Sequence, residues 1–340
     1  MGKRHSTIRD VAGLAGVSEA TVSRVLNSST TVAPAKAKAV HDAVAKLGYE
    51  PFGPAKALRQ SRVRVWAVII ADIENPFFTS VVRGIEDIAH ANGYRLVLCN
   101  SDEDVAKEAG YLDIAIRERM SGVVIAAAST TGSHIERLLD DRIPVVTIDR
   151  RLDHAHVDSV VVDNHAGARE ATLHLLASGY SRIGCIVGPT EVSTSSERLA
   201  GYRSALRHAG HRYDKALVRR ADYREAGAYK ATNALLDDAD PPDALFVANN
   251  RMTVGAIRAI HERGLSIPDD IGLVGFDDSP VAELMRPTVT VVAQPVHEIG
   301  RIAAELLLEA DPNRPARDVV LAPRLVVRES SRRSGATSAR

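Results

Sequence analysis

The sequence predicts an N-terminal all-α head of helix-turn-helix type, followed by an α/β body of two doubly wound parallel-sheet lobes. Three observations lead there. Over Thr7 to Asn27 the apolar residues keep a helical period that breaks at Gly16. From Arg64 onward short β-rich apolar runs alternate with helical patterns, the signature of parallel α/β sheets. That alternation stops near VVVDN, residues 160–164, and starts afresh, which makes two lobes rather than one.

In the head, residues 1–52, Ile8, Val11, Ala12 and Ala15 fall at i, i+3, i+4 and i+7 and form the apolar stripe of a first short helix. Ser18 is suited to the N-cap of a second helix, whose buried stripe is Val22, Val25 and Leu26. Glu19, Ala20, Ser23, Arg24 and Asn27 are left on the outward face, the kind of surface that a helix entering the DNA major groove presents. A third helix is expected from about Pro34 to Leu47, with Val40, Val44 and Leu47 turned inward and Gly48 ending it. Residues 53–63 open on Gly53 and Pro54 and are too short for a stable helix in isolation, so they read as a hinge and linker.

The 340 residues carry no net charge, but the charge is unevenly placed. Residues 1–64 hold 11 Lys/Arg against 4 Asp/Glu, a surplus of 7 that the remainder balances. A basic head on an acidic body is the footprint of a protein that touches phosphates at one end. Cys99 and Cys185 sit in the apolar runs RLVLC and IGCIVG and read as reduced, buried thiols without a disulfide framework. There is no signal-like segment and no apolar run of about 18 residues, so a cytoplasmic chain without membrane association is expected.

The first series of strands is VWAVIIAD, RLVLCNSD, GVVIAAAS and PVVTID, interleaved with helices over 79–91, 105–116 and around Leu138. The second is RIGCIVG, ALFVANN and IGLVGFDD, with helices over 172–176, 199–206, 226–236 and 254–260. After Thr290 come VVAQP, a helix over 299–308 and DVVLAPRLVVRES. The Ser/Gly/Arg-rich residues 329–340 are expected to be a disordered tail.

In open parallel sheets ligands bind outside the carboxyl ends of the strands. The residues at those ends are Asp72, Ser129 and Asp149 in the first series and Asp222, Asn249 and Asp277 in the second. Short polar groups converging from two lobes suit a neutral polyhydroxylated ligand better than an anion, which the carboxylates would repel. Taken singly, each serves equally well as a helix N-cap or turn former. Enzymatic readings are the weakest: the chain has no G-x-G-x-x-G turn, no phosphate-binding G-x-x-x-x-G-K-[ST] loop and no G-x-S-x-G elbow. Asp153, His154, His156 and Asp158 are the densest group of metal-ligand types and read as a solvated loop.

The stretch TIRDVAGLAGVSEATVSRVLN resembles the DNA-binding head of the lactose-repressor (LacI/GalR) family of bacterial transcriptional regulators, and the similarity continues to about Arg328. That resemblance implies base contacts from Glu19, Ala20 and Arg24, and backbone contacts from Thr7, Ser18, Thr21, Ser23 and Asn27. It also implies a minor-groove wedge from Leu58. An Arg can grip guanine O6 and N7 together, and an Ala can pack a thymine methyl. For the body the family implies a periplasmic-binding-protein-like pair of discontinuous lobes, the first about 64–162 and 294–323, the second about 163–293 and 324–328. Effector contacts are implied for Asp72, Asp149, Arg198, Asn249 and Asp277, with Phe77, Phe78 and Tyr223 as aromatic walls. The chain departs from the family pattern at Ala33, where a capping Ser is usual, and at Phe52, where an Asn usually contacts phosphate. Asn250 replaces an Asp, and Val192 stands where purine-responsive relatives carry Arg.

The expected protein is a homodimeric repressor of near-palindromic double-stranded operator DNA, controlled by a small-molecule effector bound between the lobes. A sugar is preferred over a purine or other metabolite. A sugar receptor with no role on DNA is the remaining alternative, and no catalytic residue, metal or cofactor is expected.

Overall fold

The computed structural model describes residues 6–26, 32–49, 63–152 and 157–333. It divides into two compact units, residues 1–63 and 64–340. Asn27, Leu58, the hinge, Asp153 to His156 and residues 334–340 of the expected tail lie outside the described residues.

Among the described residues the head shows three helices: α1 (Ile8–Ala15), α2 (Glu19–Leu26) and α3 (Pro34–Leu47). Thr7 starts α1 through a capping box with Asp10, and Gly16 ends it at φ 64°, a conformation open to glycine without strain. The helical period buries Val11 and Ala12 against Val22 and Val25 of α2 and against Val40 and Ala43 of α3. Ile8, Ala15, Leu26, Val44 and Leu47 cover the edge of this core. Ala33 offers no side chain to cap α3, which begins instead on Pro34, whose missing N–H needs no partner there.

Among the described residues the body contains two six-stranded sheets. The first has the order β2 (Arg95–Asn100), β1 (Val63–Ile70), β3 (Met120–Ile125), β4 (Val145–Ile148), β5 (Asp158–Val162) and β11 (Asp318–Leu321). The second has the order β7 (Val218–Arg220), β6 (Ile183–Val187), β8 (Ala244–Val247), β9 (Gly272–Phe276), β10 (Thr290–Ala293) and β12 (Arg324–Val326). β11 runs parallel to β5, whereas β12 runs antiparallel to β10. The chain therefore crosses between the lobes three times: after β5, after β10 and between β11 and β12.

Both faces of the first sheet are covered, which is why VWAVII reads as an unbroken apolar run. Trp66, Val68 and Ile70 pack beneath α4 (Pro76–Ala91) and α12 (Val296–Leu308), while Ala67 and Ile69 pack with Leu112 of α5 (Val105–Arg117) and Leu138 of α6 (Glu136–Asp140). α4 and α12 meet backbone to backbone: a Cβ on Gly300 would lie 2.1 Å from the Val81 carbonyl oxygen. In the second lobe α7 (Asn164–Ala177) and α8 (Ser193–His208) use the same device at Gly201, and α9 (Glu225–Leu236) and α10 (Asn250–Glu262) use it at Gly255.

Three elements differ from expectation. β7 is a three-residue edge strand, VRR, too short and too charged to show an apolar run. α11 (Pro280–Leu284) is a short helix started by the Ser279 cap, in a stretch with no helical period. The tail is not disordered from residue 329. Glu329–Ser331 form a 3-10 turn, and Ser330 donates to the Leu273 carbonyl (2.7 Å) while its Oγ accepts from the Thr290 N–H (2.8 Å). Its hydroxyl-rich composition, read as a sign of disorder, instead supplies the bonds that seat it in the second lobe.

Candidate functional site

On the head, Glu19, Ala20 and Arg24 are all exposed along α2, as the helical period requires. Thr7 and Ser18 flank the two helix starts: the Thr7 hydroxyl is bonded to Asp10 (2.7 Å), and the Ser18 hydroxyl lies 3.0 Å from that of Thr21 and accepts from the Thr21 N–H. Thr21 and Ser23 are half-buried. Glu19 is paired with Arg9 at 3.0 Å, so in this arrangement its carboxylate is engaged within the head. Arg24 makes no ion pair among the described residues, and its guanidinium is available to a partner.

In the body, Asp72, Phe77, Phe78, Asp149, Arg198, Tyr223, Asn249 and Asp277 come together in one cleft at the carboxyl ends of the two sheets. Ser129 does not. Its Oγ accepts from the Gly132 N–H (3.0 Å) and its N–H donates to Ser133 (3.2 Å), so it ties a turn beside the cleft and its placement at a strand end is explained by that role. Asp222 also lines the cleft. Asn249 combines both readings: it lines the cleft, but its amide is spent on the Met252 N–H (2.7 Å), which caps α10, and on the Tyr223 carbonyl (3.1 Å).

The site is built on unusual backbone. Asp149 (φ 64°), Tyr223 (φ 61°), Asp277 (φ 69°), Asp102 and Glu103 (φ 60° each) all take the left-handed conformation. Non-glycine residues there cost about 1–3 kcal/mol each and cluster at ligand clamps. Asp149 and Asp277 hold equivalent places: each follows the fourth strand of its sheet and donates its N–H to the next strand, to Val160 (3.0 Å) and Val292 (2.9 Å). Gly188 clears room for the Tyr223 ring, since a Cβ there would sit 2.2 Å from it.

Two buried arginines face these aspartates. Arg198 donates to Asn164 (2.8 Å) and to the Ala248 carbonyl (2.5 Å), and its Cζ lies 3.7 Å above the Phe276 ring. Arg150 forks onto Glu103 with both terminal nitrogens at 2.7 Å and onto the Ala127 carbonyl at 2.8 Å; across the cleft its Cζ lies 5.9 Å from the Tyr223 ring centroid. Burial pushes the Asp149 carboxyl up to about 6 despite the pull of Arg150 and Arg198. Asp277 is raised by the same desolvation, against Arg198 and a hydrogen bond from Gln294. Burial opposes the charge of Arg150, but Glu103 and Asp149 outweigh it and hold the guanidinium protonated.

Among the described residues five carboxylates line the cleft (Asp72, Glu103, Asp149, Asp222 and Asp277) against three arginines (Arg150, Arg198 and Arg224), an excess of two acidic groups. The cavity itself measures only ≈ 20 Å³. Bonds between the lobes hold it narrow: Arg224 to Asp102 (2.6 Å), Arg251 to Glu74 (2.6 Å), Arg151 to Glu197 (2.9 Å) and Asn250 to Asn75 (2.9 Å). Reading only the first polar residue after each strand missed Glu103, Arg150 and Gln294. Following each strand end one turn further, into NSDED, IDRR and VAQP, finds all three.

Val192 is buried in the second-lobe core and leads into α8. Asp158 is bonded to Arg314 (2.6 Å) and Arg317 (3.3 Å), and among the described residues no group of three or more His, Cys, Asp or Glu is placed to hold a metal. No helix among them is long and apolar enough to cross a membrane.

Residues 7–51 match the model of bacterial regulatory proteins of the lacI family, and residues 172–331 match a periplasmic binding protein-like domain. The chain is 35% identical over 329 residues to the ribose operon repressor of Halalkalibacterium halodurans, covering 96% of this chain and 97% of that one. Among solved structures, a CelR–cellobiose complex is similar at 33% identity and a TM-score of 0.73, covering 96% of this chain and 100% of that one. The lac repressor dimer bound to operator and the anti-inducer ONPF is similar at 26% identity and a TM-score of 0.80, covering 96% and 99%. With a helix-turn-helix head and a two-lobed effector-binding body, this chain belongs to the lacI family of bacterial regulatory proteins and is a DNA-binding transcriptional repressor rather than an enzyme.

Proposed function

We propose that the repressor is controlled by a sugar bound in the interlobe cleft, and that it reads its operator as a homodimer through Glu19, Ala20 and Arg24. The observation that carries the sugar reading is the cleft wall. Its excess of carboxylates disfavours phosphates and carboxylates, while its hydrogen-bonding groups and the aromatic faces of Phe77, Phe78 and Tyr223 suit a polyol with one apolar side. The ribose operon repressor and the CelR–cellobiose complex, by their names, connect similar chains with sugars.

Ligand pockets usually span about 300–1,000 Å³, so a sugar enters only if the lobes part and the bridging ion pairs give way. Ligand binding then shifts the population of lobe arrangements and, with it, DNA affinity, by a coupling of about 1–3 kcal/mol. Dimerisation is assigned to exposed apolar surface in both lobes: Val97 and Leu98 on the edge strand β2, and Val281 and Leu284 on α11, with Leu284 77% exposed. The dimeric state of the similar lac repressor structure supports a dimer. A two-fold dimer presents two reading helices to a near-palindromic site.

A thermal-shift screen of sugars and nucleobases tests the effector class. Stabilisation by sugars is expected, and stabilisation by purines alone would replace the reading with a purine-responsive one. For the head, Arg24→Ala should weaken operator binding by about 1–3 kcal/mol in a gel-shift titration and relax discrimination at one base pair. Unchanged affinity would refute its role.

A further inference from the structure

The groove at the far end of α8 has no part in the effector cleft. α8 starts in that cleft, where Thr194 and Arg198 line the wall, and Arg207 in its last turn stands about 20 Å along the axis from Thr194. There Arg203, Arg207, Gly210, His211, Arg212 and Tyr213 surround a groove of ≈ 600 Å³. Residues 203–215 carry 4 Lys/Arg against 1 Asp/Glu, a surplus of 3, on a body that from residue 65 onward holds 7 more acidic than basic residues. Other arginines of the same lobe are neutralised: Arg219 by Asp238, Arg263 by Asp237, and Arg182 by Asp240 and by Asp214, the one carboxylate of the 203–215 stretch. Those of the groove are not. Arg207 and Arg212 are exposed and make no ion pair among the described residues. Arg203 rests on Tyr213, its Nη2 donating to the hydroxyl (2.9 Å) and its Cζ lying 4.5 Å from the ring centroid, and Tyr213 is braced edge-on by the buried Tyr202. Arg203 thus keeps its charge uncompensated while its position is fixed. A cation in the last turn of a helix complements the helix dipole, which accounts for Arg207 but not for Arg203, one turn earlier, or for Arg212, beyond the helix end.

We propose that this groove is a second DNA-binding surface, which takes the sugar-phosphate backbone of a duplex segment other than the operator held by the head. Every cation in it is exposed, and an exposed pair with a single small anion contributes little. A duplex differs because it offers one negative charge per roughly 1.7 Å of its axis. Arg203 and Arg207, about 6 Å apart on one helix face, and Arg212 beyond them meet several phosphates at once and release their counterions. Contacts of this kind hold a duplex without reading its sequence. The effector cleft cannot serve the same partner, since its excess of carboxylates repels phosphate. What the protein already does also selects the partner. A repressor held on its operator meets other stretches of the same DNA at an effective concentration in the millimolar range, where a weak, salt-sensitive contact is occupied. One repressor can then bridge its operator and a second stretch of duplex.

The test uses the full chain saturated with unlabelled operator duplex and titrated with a fluorescein-labelled non-operator duplex, read by anisotropy between about 50 and 200 mM salt. Uptake of the labelled duplex is expected at the low-salt end. Arg207→Glu/Arg212→Glu should weaken that uptake by about tenfold or more and leave operator affinity unchanged. Arg207→Gln/Arg212→Gln should lower the slope of log affinity against log salt by about 2. Lys107→Glu/Lys230→Glu makes the same change in net charge at exposed positions outside the groove and should cost less than about threefold. Equal losses in the two charge-reversed proteins would assign uptake to overall charge and overturn the site, as would failure of the natural protein to take up a second duplex. A fall in operator affinity equal to the fall in uptake would put the groove on the operator itself and overturn the second segment. Isothermal titration with pyrophosphate separates the remaining source: binding tighter than that of the duplex, lost in Arg207→Gln/Arg212→Gln, would make the groove a small-anion site and overturn the DNA surface.

Discussion

Lobe one places Glu103 after its edge strand where lobe two places Tyr223, and after the shared left-handed aspartate it places Arg150 where lobe two places Asp278. The frame is otherwise the same: equal strand order through five parallel positions, equal hydrogen bonds from Asp149 and Asp277, and helices locked together through glycines. Asp278 turns away to Arg328 (2.8 Å) near the end of the chain, and lobe two draws its cleft arginine, Arg198, from helix α8. A repeated backbone thus fixes where groups stand, while side chains that differ at equivalent places decide what each wall can bind. One wall is an ionic fork, and the other is an aromatic face with a stacked guanidinium.

The largest effect that would test this contrast is expected from Arg198→Ala. The residue is bonded to two elements, stacked on Phe276 and close to Asp277, so its loss leaves a buried carboxylate uncompensated. Destabilisation of about 3–5 kcal/mol should appear in urea denaturation. A loss under about 1 kcal/mol would mean that lobe two does not depend on its arginine for folding.

The shared glycine device comes next. Gly300→Val in lobe one and Gly201→Val in lobe two would force a Cβ to 2.1 and 2.3 Å from backbone carbonyl oxygens. Each should cost about 1–3 kcal/mol in the same measurement, and a neutral result in one lobe alone would show that the two helix pairs are not equivalent.

A smaller effect, confined to one pH range, belongs to Asp149. Its carboxyl titrates near 6 when folded, against an ordinary value of 3.8, so the folded protein binds the extra proton between those values. Its contribution to stability therefore falls as pH rises from about 4 to 6 and stays low above, by an amount on the order of 3 kcal/mol. Asp149→Asn should flatten that limb of a stability–pH curve; an unchanged limb would assign it to Asp277 or another carboxyl. The smallest effect is expected from Arg224→Gln at the rim. Its pair with Asp102 is about half exposed on both sides, and stability should change by less than about 1 kcal/mol.

Legibility followed the range of the interactions. The helix stripes of the head could be read because Val11, Ala12, Val22 and Val25 keep a local period, and the strands because runs such as VWAVII and GVVI are buried on both faces. β7 escaped because an edge strand of VRR has no such run, and the 329–331 turn because buried serines and disordered serines look alike until their partners are known. Among the site residues, Asp72, Asp149 and Asp277 were visible as strand ends. Ser129 was visible in the same way, yet it serves a turn. Glu103 and Arg150 were each one turn past a strand, and nothing local marks them as partners.

The sequence by itself determined the kind and order of the elements that carry a helical or strand period, along with the helix-turn-helix face and the ends of the buried strands, because those periods are set by neighbours a few residues apart. Only the tertiary structure decided which strand ends face one another, that Arg150 forks onto Glu103 47 residues away and that Arg198 reaches Asn164 34 residues away. Those pairings depend on sheet order and on left-handed turns that are stable only once the surrounding core holds them in place.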